Sequence, residues 1–141
     1  MFKKGILGLV ISLGLSTGLA ANDTLKADMA QLAKSVSAAQ AGFFANDKAM
    51  TLAAIVKLKT DARKILGDEK SIKALLPKEI QYKSSIAVNS ADMIVKYAQQ
   101  IEDTLDDKNM RMINQQMRSQ TAFTEILDQC FRCHNLVRDW K

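Results

Sequence analysis

Proline occurs once in this 141-residue chain, histidine once, tryptophan once and cysteine twice, while aromatic residues make up only 6%. So few helix breakers and so few aromatics, in a chain rich in Ala, Leu, Lys, Met and Gln, favour helix over sheet. There is no Arg-rich run and no interleaving of aromatic with basic residues, so a nucleic-acid footprint is not indicated. No arrangement of acid, base and nucleophile stands out, and catalysis is not expected. The length suits one ordinary domain and leaves little room for a second.

What is present begins with an address. Lys3 and Lys4 give a basic start, Gly5 to Leu15 form a short apolar run, and Ser16 to Ala21 supply small residues of the kind a signal peptidase accepts. Cleavage after Ala20 or Ala21 is expected, which makes 1–20 a secretory signal and 21–141 the mature domain. The alternative is a retained anchor, but the run falls short of the roughly 20 residues that span a bilayer. No stable membrane span is expected in the mature chain, and its location should be the periplasm. Without Lys3 and Lys4 the formal charge falls from +5 to +3, with the basic residues read as solvated helix faces.

Turn residues divide the mature chain into four helical segments. The first starts near Asn22 to Thr24 and spaces Leu25, Met29, Leu32, Val36, Ala39 and Phe43 at steps of three and four. Asn46 and Asp47 mark a turn and a new cap, followed by Leu52, Ile55, Leu58, Ala62 and Ile65 and an end at Gly67. Asp68 to Lys78, with Pro77, is the long connection, and a short turn around Ile72 to Leu76 fits inside it. The third helix is expected over about Lys78 to Leu105, with Ile80, Ala87, Ala91, Ile94, Ala98 and Ile101 inward. The fourth should run from about Asn109 nearly to the end, with Ile113, Met117, Phe123, Leu127, Cys130, His134 and Val137 on or near one face. Short turns between four amphipathic helices predict an all-α, antiparallel four-helix bundle whose core can hold a cofactor.

Both cysteines and the one histidine fall in a single window, Cys130-Phe131-Arg132-Cys133-His134, the C-x-x-C-H pattern of c-type haem attachment. Each thiol can add to one haem vinyl group to give a thioether, and the adjacent His134 is then carried under the iron as proximal ligand. On a helix the three side chains project towards the same side, so tether and ligand arrive together. Other readings compete. A Cys130–Cys133 disulfide closes a loop too small to staple a fold. A thioredoxin-like motif expects a βαβ setting and a cysteine at a helix N-terminus. A structural zinc site wants four ligands, one more than these residues supply.

With that motif near the C-terminus of an exported helical chain, the sequence resembles the class II cytochromes c, which include cytochrome c prime and its low-spin relatives. The whole mature chain fits their layout. The resemblance implies a four-helix bundle with one covalently attached haem c, its iron bound by His134, and often a dimer formed through the first two helices. It extends to Arg138, four residues after His134, where the family commonly places an arginine beside a haem propionate; Val137 stands where Tyr or Phe is usual. The family's distal residue lies on the first helix, and the best match is Met29. A thioether favours the ferrous state and raises the potential. Met50, Met93 and Met117 also lie on helices, but their spacing does not single them out. Two functions follow from the family: electron transfer to and from periplasmic redox proteins through His134/Met29-ligated iron, or five-coordinate binding of nitric oxide or carbon monoxide, with Met29, Leu25 and Leu32 only crowding the distal face. A thiol oxidoreductase or haem-free bundle is the third reading.

Overall fold

The computed structural model describes the backbone of residues 17–137 and the side chains of 23–135. Helix α1 (Thr17–Ala45) is followed by α2 (Lys48–Leu66), the short α3 (Glu69–Leu75), a 3-10 helix (Lys78–Lys83), α4 (Ser84–Asp106) and α5 (Met112–Val137). Among the described residues there is no strand. The described residues form an all-helical structure with four long helices packed as a bundle. The expected basic start and the whole of the apolar run lie outside the described residues. Helix α1 already runs through the expected cap at Asn22 to Thr24, because Leu19, Ala20 and Ala21 are strong helix formers.

The turn from α1 to α2 follows its residues closely. Asn46 takes a left-handed conformation, φ 51°, which Asn tolerates better than other non-glycine residues. This lets Asn46 N–H donate to the Phe43 carbonyl (3.2 Å) and Asp47 N–H to the Gly42 carbonyl (3.1 Å), a Schellman closure of α1. The Asp47 carboxylate then accepts from Met50 N–H at 2.9 Å and caps α2. Gly42 sits where the two helices nearly touch: a Cβ there would meet Thr51 Oγ1 at 2.6 Å and its backbone nitrogen at 2.8 Å.

Gly67 ends α2 as expected, though in a right-handed conformation (φ −78°, ψ −10°); the chain leaves the helix at Asp68, which is extended and caps α3 through Ser71 N–H at 2.8 Å. Thus the long connection is itself helical, and α3 buries Ile72 against the bundle. The expected third helix is a 3-10 helix up to Lys83 and an α-helix only from Ser84. Pro77 sets that start: its extended backbone ends the preceding turn, and its carbonyl accepts from Ile80 N–H three residues on.

Helix α2 packs between α1 and α4, and α5 packs on α4. Side-chain contacts fix the directions. Ser35 and Gln31 reach Asp61, Lys59 reaches Gln99 and Glu102, and Gln115 donates to the Asp107 carbonyl, so consecutive long helices run antiparallel. Phe43 and Phe123, with ring centroids 5.1 Å apart, join α1 to α5 at the turn end of α1.

The apolar core falls into two clusters. The larger is formed by Ala39, Ile55, Leu58, Ile94, Ile101, Phe123, Ile126 and their neighbours; the smaller by Leu66, Ile72, Leu76, Ala87 and Ala91. Three expected inward residues of the last helix, Ile113, Met117 and the exposed His134, are in neither, and the side chain of Val137 lies outside the described residues. Ile113 is 54% and Met117 60% exposed, because the first half of α5 turns Gln115, Ser119 and Ala122 inward instead. Gln115 can be buried since the carbonyl of Asp107, which also accepts from Met110 N–H, takes its amide proton.

Buried polarity also ties α1 to α2. Asp61, only 9% exposed, accepts from Ser35 Oγ (2.6 Å), Gln31 Nε2 (3.2 Å) and Lys57 Nζ (2.8 Å). Burial pushes its carboxyl pKa up, but the hydrogen bonds from Lys57, Ser35 and Gln31 and the Lys57 charge outweigh this and hold it below 3.8. Among the described residues no helix is long and apolar enough to cross a membrane.

Candidate functional site

The last turns of α5 bring Cys130, Cys133 and His134 to the end of the bundle where α1 begins and α2 ends. The two thiols face different parts of the core. Cys130 packs, half-buried, against the larger cluster, and Cys133, also half-buried, against the smaller. His134 lies on the exposed side of the pair. This divergence follows from helical geometry: a step of three residues turns by about 300° and a step of four by about 400°, so the three side chains fan out around Cys130.

Met29 reaches the same place from α1. It packs, half-buried, against the smaller cluster, flanked one turn away on either side by Leu25 and Leu32, which pack there too. Met29 and Cys133, 104 residues apart in the chain, therefore share one apolar cluster. Of the other methionines considered, Met117 is exposed and Met50 is 42% exposed near the α1–α2 turn; Met93 is half-buried on α4. Arg138 lies outside the described residues.

The electrostatics of the thiols bear on what they can do. Burial raises the pKa of Cys130, and the neighbouring Cys133 raises it further. Burial also raises Cys133, opposed in part by a hydrogen bond with Ser90 of α4. Both thiols are thus held protonated well above neutral pH. A redox-active C-x-x-C works the other way, with one thiol pKa lowered by a helix N-terminus or a cation. The position near a helix C-terminus and the apolar surroundings explain the difference.

The residues present fit a covalently held haem. A haem brings four ring nitrogens, so the protein need supply only axial ligands, a tether and apolar walls. Thiols at the rim of the core, an imidazole beside them and a thioether across a shared apolar cluster are the required types. Sequence reasoning missed Ser90, whose only signal was its place on the small-residue face of α4 between Ala87 and Ala91. Compared with family models, with curated proteins and with solved structures, the chain matches none.

Proposed function

We propose that this protein is an exported, periplasmic electron carrier of the class II cytochrome c type, holding one haem c through Cys130 and Cys133 with its iron between His134 and Met29. The observation that carries the reading is that Cys133 of the C-x-x-C-H motif and Met29 of α1 pack half-buried on one apolar cluster. When bound, the haem supplies a one-electron Fe(III)/Fe(II) couple. The protein's own part is positional. Cys130 and Cys133 would tether the ring to α5, and His134, carried on the same turn, would be held beside that attachment. Met29 approaches from a different helix, so the packing of α1 against α2 and α3 sets its position. Leu66, Ile72, Leu76, Ala87 and Ala91 keep water from the ring face, and a rigid dry wall keeps reorganisation small when the charge changes. Arg138 is the proposed partner of a propionate.

Leu25 and Leu32 beside Met29 favour one second reading, a five-coordinate gas-binding protein in which all three side chains only crowd the distal face. Optical spectra of the mature holoprotein, oxidised, reduced and reduced with carbon monoxide, separate the two. Low-spin spectra that ignore the gas and are lost in Met29→Ala support electron transfer; a high-spin spectrum with ready gas binding supports the second reading. Absence of covalent haem after expression with the attachment machinery would sink both.

A further inference from the structure

The positive charge of the bundle is gathered at one end. Residues 63–83 hold Arg63, Lys64, Lys70, Lys73, Lys78 and Lys83 against Asp68, Glu69 and Glu79, a net of +3. That equals the whole net charge of 21–141; outside this segment cations and carboxylates balance at twelve each. Two of the three carboxylates are engaged within the fold. Asp68 caps α3, and Glu69 accepts from Ser84 Oγ at 3.0 Å. Arg63, Lys64, Lys70, Lys73 and Lys78 are exposed and, among the described residues, none of them forms a salt bridge.

The fold places this charge around the candidate site. The segment that carries it also sends Leu66, Ile72, Leu76 and Ile80 into the cluster shared by Met29 and Cys133, so its apolar side walls the site while its polar side surrounds it. Arg132, next to Cys133, adds to the same end and is exposed. The turn between α4 and α5 is opposite in sign: residues 102–111 hold four carboxylates and two cations. The 63–83 segment at the end bearing Cys133 is thus positive and the α4–α5 turn negative, while α1 brings Asp23, Lys26 and Asp28 to the Cys133 end, a net of −1.

We propose that this basic collar, residues 63–83, is the docking surface for an acidic protein partner. The inference rests on the electron-carrier reading, because it brings the partner's charge to the end where the haem would be held. A field of one sign steers an oppositely charged partner and orients it before contact. A protein fits better than a membrane: Tyr82 is the only large apolar side chain exposed in the segment among the described residues, whereas a membrane-surface helix turns an apolar face outward.

The test uses isotope-labelled mature holoprotein titrated with poly-L-glutamate at increasing salt, with phosphatidylglycerol vesicles in parallel. Amide shifts should change over 63–83 and binding should weaken steeply with salt. The triple variant K70E/K73E/K78E should bind about tenfold more weakly. A charge-matched variant at exposed positions elsewhere, K48E/K108E/R118E, should stay within about twofold. Equal losses in both variants, no binding, or tighter binding to the vesicles than to poly-L-glutamate at the same salt would overturn the proposal. The absorption spectrum of the same sample reports separately on the haem, so failure of the carrier reading and failure of the collar are told apart.

Discussion

The larger apolar cluster lies between the long helices and has twelve buried members, with Ile55, Leu58, Ile101 and Ile126 almost wholly out of water. The smaller has only five buried members, and as many as six half-buried side chains line its rim, Met29 and Cys133 among them. One end of the bundle is built to hold the helices together. The other leaves soft, reactive side chains half-exposed against an apolar wall, where a planar group could be seated without dismantling the core. The difference teaches that stability leans on the larger cluster while the proposed chemistry lies at the rims of both, Cys130 on the larger and Met29 and Cys133 on the smaller, and substitutions can test that division.

The largest effect on folding should come from the larger cluster. Ile101→Ala removes a fully buried side chain and should cost roughly 2–5 kcal/mol in denaturant unfolding, leaving the proposed haem ligation unchanged. Next is Asp61→Asn in the polar tie between α1 and α2, expected to cost roughly 1–3 kcal/mol at pH 7 because Lys57, Ser35 and Gln31 lose a charged acceptor. Its pH dependence has a definite sign. The folded carboxyl titrates below 3.8, so its contribution is fully present above that value and fades as pH falls through the lower folded value. Unfolding curves of Asp61→Asn should therefore approach those of the parent protein under acid; a difference that stayed constant down to the acid limit would contradict the assignment. The smallest effect should be Met29→Ala, about 1 kcal/mol in the haem-free chain because the side chain is only half-buried. If Met29→Ala destabilised that chain as much as Ile101→Ala, stability would not lean on the larger cluster.

Much of this arrangement could be read from residue order. The α1–α2 turn was legible because Asn46 and Asp47 act locally: one adopts the left-handed conformation, the other caps the next helix. The stripe of α4 was legible because Ala87, Ala91, Ile94, Ala98 and Ile101 are all buried, and that of α2 in part, with Ile55, Leu58 and Ala62 buried but Leu52 and Ile65 only half-buried. The first half of α5 misled for the opposite reason. Its apolar residues Ile113 and Met117 face outward, while Gln115 and Ser119 are buried, and hydropathy cannot anticipate that a carbonyl at a neighbouring helix end will satisfy a glutamine. Similarly, Asp61 looked like one more solvated charge until α1 supplied Ser35 and Gln31.

By itself the sequence determined the helical class, the main turns and the chemistry available at Cys130, Cys133 and His134, because these depend on residues within a few positions of one another. Only the tertiary structure decided that Met29 would share an apolar cluster with Cys133, that α3 would close over that cluster, and that the basic residues of 63–83 would collect around it. Those outcomes depend on which helix faces find each other. Helix packing settles that by burying the largest shared apolar area, a property of four surfaces together that no single stretch of chain encodes.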